Sequence, residues 1–135
     1  MKITKKWLEE KRACCSENDM DRAEKELKGD VKLITDTLLK EDRFNDANWL
    51  LTKLMNKKQC VEYAVFAAKQ VLGVFEKKHP NDKKPRKAAA YAYAYAAYAA
   101  AAAYAANAAN AASYAAAAAS DVKTKIIKYG IKILN

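Results

Sequence analysis

The residues best placed to do chemistry are cations. From Lys77 to Lys87 the chain reads K-K-H-P-N-D-K-K-P-R-K, six basic side chains against the one carboxylate of Asp82. Gathered at that density they raise the local positive potential more than a scattered surplus would, so the chemistry they offer is capture of an anion: a nucleic acid, a nucleotide or an acidic protein face. The candidate contacts are Lys77, Lys78, Lys83, Lys84, Arg86 and Lys87. Arg86 and Asp82 stand four residues apart, a helical spacing for an ion pair. On one reading that pair sets how the chain enters the following helix, with Pro85 in its first turn. On another, Arg86 is a bidentate anion clamp, supported by the lysines near the positive end of that helix. The plain alternative is a solvated linker whose lysines keep the protein soluble.

Other chemistry is thinly provided. One His, three Cys and no Gly-rich run leave little material for a metal site, a catalytic triad or a phosphate loop, so neither an enzyme nor a cofactor is expected. His79 reads as a loop residue, and Cys60 as a core residue on an apolar face. Cys14 and Cys15 are neighbours in sequence, a poor geometry for pairing, and the count is odd, so reduced thiols and a cytoplasmic protein are expected. The opening M-K-I-T-K-K-W-L-E-E-K-R holds no apolar run of signal-peptide length.

Beyond the basic segment, residues 88–120 carry no charge and contain 23 Ala, six Tyr, two Asn and two Ser. Leu, Ile, Val and Phe are absent, and alanine is too weakly apolar to drive insertion, so no membrane span is expected. Alanine has the highest helix propensity, which predicts a long helix beginning just after Pro85. At 100° per residue Tyr91, Tyr95 and Tyr98 share one stripe, while Tyr104, Asn107 and Tyr114 lie roughly opposite, with Tyr93 beside them. These rings either pack with their hydroxyls in water or form aromatic contacts for stacked bases or nucleotides beside the basic rim. A straight helix of this length would run about 50 Å, against a radius of gyration near ~14 Å for a chain of this size. Either it bends near Tyr98 to Tyr104, or different partners cover its two faces. The close-packing alanine surface also makes a homo-oligomer an expected possibility.

The elements that position these groups are helical. In 135 residues, three Gly and two Pro are too few turn-formers for a many-stranded sandwich or barrel. The expected fold is all-α, a compact bundle of about five to seven helices built around the long Ala/Tyr-rich helix. It forms a single domain over residues 1–135, with short helices in 1–45 and a helical core in 46–135. Ile3 to Arg12 reads as a short helix. Ser16 to Asp30 reads as a marginal one with Met20, Ala23 and Leu27 for burial and Gly29 at its end. Val31, Ile34 and Leu38 mark a helix ending near Lys40, and Asn45 to Met55 another. Asn56 and Gln59 form a capping box for the next helix, whose inner stripe is Cys60, Ala64, Ala67, Ala68, Val71, Leu72 and Phe75, extended by Tyr63 and Phe66. It is expected to lie antiparallel to the alanine tract. The last helix starts at Ser120 and Asp121 and presents isoleucines whose volume complements alanine, with Gly130 in its interior.

Charge is distributed unevenly over these elements. Residues 1–76 hold 15 basic and 14 acidic side chains; 77–87 carry +5; and from Asp121 onward four lysines face one aspartate, for +3. The formal net charge of +9 is thus focused at two places that flank the neutral tract.

The stretch N-W-L-L-T-K-L-M-N-K-K-Q-C-V-E-Y-A-V-F-A-A-K-Q-V-L-G-V-F-E-K-K-H-P-N-D-K-K-P-R-K-A and the Ala/Tyr-rich run after it resemble the small all-helical immunity proteins of bacterial toxin systems. Similar short proteins, also opening like I-T-K-K-W-L, are carried by phages and prophages. The resemblance covers about Asn48 to Ala119, and its most specific pieces are C-V-E-Y-A at Cys60 to Ala64 and P-N-D-K-K-P-R-K at Pro80 to Lys87. It implies a helical, non-catalytic protein that binds and neutralises a toxin or host-defence component. An inhibitor of a basic nuclease toxin would be acidic, so the charge of this chain points instead to an acidic effector protein, a nucleotide signal or a nucleic acid.

Overall fold

Short polar side chains start the first helices, because their oxygens satisfy backbone N–H groups that an opening turn leaves without partners. In the computed structural model, which describes residues 1–83, 86 and 120–135, Thr4 Oγ1 accepts from the Trp7 amide ahead of α1 (Lys5–Glu10). Ser16 Oγ accepts from the Asp19 amide, and the Asp19 carboxylate accepts from the Ser16 amide, a reciprocal box that opens α2 (Glu17–Asp21). Asp30 caps α3 (Val31–Lys40) through the Leu33 amide. α4 (Phe44–Leu54), α5 (Lys57–Lys78) and α6 (Ser120–Leu134) follow, and the described residues contain helices and no strand, the expected all-α class.

The chain divides into two units, residues 1–53 and 54–135. In the first, the segment expected as one marginal helix is instead α2 followed by a π-helical turn over Arg22–Glu26. Met20 is the buried residue of α2 and Ala23 that of the π-turn. The turn closes at Gly29, whose φ of 65° lets its N–H reach back to the Ala23 carbonyl. Its own carbonyl accepts from the Ile3 amide at 2.8 Å. That contact seats Ile3, only 1% exposed, in a core with Leu8, Met20, Ala23, Ile34, Phe44, Ala47, Leu50 and Leu51. Trp7 and Trp49 meet edge to face at 6.5 Å, an arrangement favoured by the ring quadrupoles.

This unit neutralises its own charges. Arg43 binds Asp19 at 2.9 Å and Asp46 at 2.7 Å, Arg22 binds Glu41 at 2.6 Å, Lys32 binds Asp36 at 2.9 Å, and Asp21 takes both Lys5 and Lys25. The Arg43 guanidinium, with help from Ser16, holds the Asp19 carboxyl below its ordinary range. Residues 1–53 contain 12 basic and 12 acidic side chains, so the formal charge of this unit is zero.

In the second unit the expected box is present. Asn56 Oδ1 accepts from the Gln59 amide, and Gln59 Oε1 accepts from the Asn56 amide. The other end of the Gln59 amide donates to the Ile133 carbonyl in the last turn of α6. Farther along α5, Phe66 stacks on Tyr129 at 3.9 Å, and the Tyr129 hydroxyl donates to Glu62 at 2.6 Å. Position 59 thus meets 133 while 62 and 66 meet 129, which makes α5 and α6 antiparallel. Cys60, Tyr63, Ala64 and Ala67 of α5 and Ile126, Ile127 and Gly130 of α6 are buried. Tyr63, expected to extend the stripe, lies within it with no exposure, and its hydroxyl has no hydrogen-bond partner among the described residues. Burial alone pushes its phenol pKa up. The side chains of Val71 and Phe75 and the tract expected to lie against α5 are outside the described residues. Among the described residues no helix is long and apolar enough to cross a membrane.

Candidate functional site

α5 stops where proline forces it to. The residue before a proline is driven out of the helical region, so His79 ends the run, and Pro80 takes the second position of a turn that its fixed φ favours. The Asp82 amide closes that turn on the His79 carbonyl at 3.1 Å. Lys77 and Lys78 occupy the last turn of α5, where unpaired carbonyls make the helix end negative and favour cations. They are exposed, as are His79 and Lys83 beyond them. The described part of the segment therefore presents Lys77, Lys78 and Lys83 to solvent around a proline turn.

Arg86 has a different partner from the Asp82 expected of it. Its Nε donates to Glu76 Oε1 at 2.6 Å and its terminal nitrogen to Oε2 at 2.7 Å, a bidentate fork across the base of the turn. The guanidinium holds the Glu76 carboxyl below its ordinary range. A pair with Asp82 would need helical backbone from residue 82. Residues 80–83 are turn and irregular, so the chain instead doubles back and sets Arg86 beside the end of α5. Arg86 thus braces the excursion and spends its fork internally. Glu76 is the residue that sequence reasoning missed, because a separation of ten residues follows neither helical nor strand periodicity.

Of the other sequence candidates, Lys84, Lys87, Tyr91, Tyr95 and Tyr98 lie outside the described residues. Among the described residues no group of three His, Cys, Asp or Glu side chains is arranged to hold a metal ion. Cys60 is buried, its Sγ 3.9 Å from the Met55 carbonyl, and burial raises its pKa, away from the thiolate that a nucleophile requires. Cys14 is exposed and Cys15 partly so.

The unit boundary sharpens the electrostatics. Residues 54–135 contain 13 basic and 4 acidic side chains, so the whole surplus of +9 belongs to the second unit. Of those four acids, Glu76 is held by Arg86, Glu62 accepts from Tyr129 and Asp121 accepts from Ser120. The cations here outnumber their intramolecular partners, and counter-charge must come from solution or from a bound partner.

Against known proteins, the family described as "Imm-5 like putative immunity protein" matches residues 50–129. No curated protein and no solved structure matches the chain.

Proposed function

The chain belongs to the Imm-5 like immunity protein family, and on that premise we propose that it is a non-enzymatic binding protein that neutralises a toxin or host-defence component by covering an anionic surface on it. The observation that carries this reading is the charge partition. The first unit has equal numbers of acids and bases and the second carries +9, and the family match falls almost entirely on the second. The proposed contacts are Lys77, Lys78, Lys83, Lys84 and Lys87, with Arg86 as the positioning residue that shapes the turn through Glu76. Tyr91, Tyr95 and Tyr98 are proposed as flanking aromatic contacts. The family name favours a cognate toxin as the partner, and carriage by a phage or other mobile element suits an inhibitor of host defence. Action in the cytoplasm of a bacterial host is part of the same reading.

The test replaces Lys77, Lys78, Lys83, Lys84 and Lys87 together with serine and measures rescue of growth against the cognate toxin or defence system. Loss of protection with an unchanged circular dichroism spectrum is expected; full protection would dispose of the reading. Duplex DNA serves as the comparison ligand. If the same residues bound nucleic acid, affinity would fall with salt at a log–log slope of about 0.9 per phosphate neutralised, and a flat response would exclude that alternative.

A further inference from the structure

α6 carries a second cationic surface, built differently from the proline turn. At 100° per residue Lys125, Lys128 and Lys132 fall on one stripe, and all three are exposed. Ile126, Ile127 and Gly130 occupy the opposite face and are buried. The rotation of the helix is fixed by the Phe66–Tyr129 stack at 3.9 Å, the Tyr129–Glu62 hydrogen bond and the Gln59 bond to the Ile133 carbonyl. None of the three lysines has an ion-pair partner among the described residues, although Lys5, Lys25 and Lys32 of the first unit all do. Asp121, on the same face, sits at the helix start, where the dipole favours a carboxylate, and accepts from Ser120 Oγ.

We propose that the outer face of α6 is a docking surface for the acidic helix of a protein partner, with Lys125, Lys128 and Lys132 meeting a stripe of carboxylates. Spacings of three and four residues set the lysines over a rise of about 10 Å, the rise at which an opposing helix repeats side chains at its own i, i+3 or i+4 and i+7 positions. The face favours a protein over a nucleic acid. It has no arginine, and its flanking aromatic, Tyr129, is already stacked and hydrogen-bonded, so it offers no platform for a base. Half-buried Val122, Ile131 and Ile133 border the stripe and give it the apolar shoulders of a protein interface, for which a phosphate backbone has no use. The proposal extends the reading above, which concerns the 77–87 segment, to a different element.

The experiment uses the full chain and three probes: a 20-residue helical peptide with glutamates along one face, an isomer with the same glutamates spread round the helix, and a 20-base-pair DNA duplex. The wild type should bind the striped peptide about tenfold more tightly than its isomer, the combined effect of three exposed ion pairs. Lys125→Glu, Lys128→Glu and Lys132→Glu together should abolish that preference. The corresponding glutamine variant, which removes charge without reversing it, should lower it to near twofold and guards against misfolding of the reversal. The serine variant of the 77–87 segment should keep the preference, so failure of this proposal is distinguishable from failure of the function proposed above. Equal affinity for the two peptides, an unchanged preference in the α6 variants, or tighter binding of the duplex than of the striped peptide would each overturn it.

Discussion

Two glycines should respond to the same substitution with opposite sign. Gly29 holds φ at 65°, and a Cβ built there would fall on the Ile3 carbonyl oxygen, inside contact distance, and 2.9 Å from the Ile3 nitrogen. Both obstacles are backbone and cannot turn aside. Alanine in the left-handed region costs about 1–2 kcal/mol. Displacing the first residues also weakens the Ile3–Gly29 hydrogen bond and withdraws part of an isoleucine from the core, where full burial contributes about 1.5–3 kcal/mol and the hydrogen bond about 1 kcal/mol. Since the segment will shift only in part, Gly29→Ala should destabilise by about 3 kcal/mol. Gly73 lies exposed within α5, and among the described residues an added Cβ there would meet nothing within 4 Å beyond its own helix backbone and chain neighbours, so alanine should stabilise by roughly 0.5–1 kcal/mol. Urea unfolding followed by circular dichroism measures both, and hydrogen exchange at the Ile3 amide reports the displacement directly. If Gly29→Ala fell within about 0.5 kcal/mol of the wild type, the close approach of Ile3 would not be the constraint described.

Three further outcomes follow from the ion pairs, the thiols and the phenols. Arg43 lowers the folded Asp19 pKa, so this carboxylate stabilises the fold above its unfolded value near about 4, and the contribution fades as pH falls through the folded value. Asp19→Asn should therefore cost up to about 1 kcal/mol at pH 7 and progressively less towards pH 3; a gap independent of pH would contradict the pairing. With an aromatic disulfide reagent at pH 8, Cys14 should react first. Cys15 should follow more slowly, because burial and Asp19 hold its proton on, and Cys60 should react only in denaturant. Simultaneous reaction of all three in the native protein would refute the burial assigned to Cys60. Tyr63→Phe removes a hydroxyl with no partner among the described residues and should be neutral or stabilising by up to about 1 kcal/mol, while Tyr129→Phe loses the bond to Glu62 and should cost about 0.5–1 kcal/mol. Thermal melts that ranked the two variants in the reverse order would be inconsistent with these hydrogen bonds.

What proved legible in the residues themselves was local. The all-helical class, the bounds of α3, the Asn56–Gln59 box and the end of α5 at His79 and Pro80 depend on groups within about four positions of each other, and side-chain type at that range decides backbone conformation. The focus of positive charge was equally plain, since it needs only counting. By contrast, the segment after Ser16 reads as one regular helix by its spacing, and the seating of its end at Gly29 against Ile3, which arrives from outside that segment, has no signal within it.

Tertiary structure decided which charges remain available. Composition shows six cations between Lys77 and Lys87, but only the reversal at Pro80 brings Arg86 onto Glu76. Composition likewise shows four lysines after Asp121, but only the antiparallel seating of α6 on α5 aims three of them outward with no ion-pair partner among the described residues. The reason is range. Helix propensity and capping are settled between near neighbours along the chain, whereas neutralisation of a charge depends on distance in space and burial, which exist only once remote segments have met.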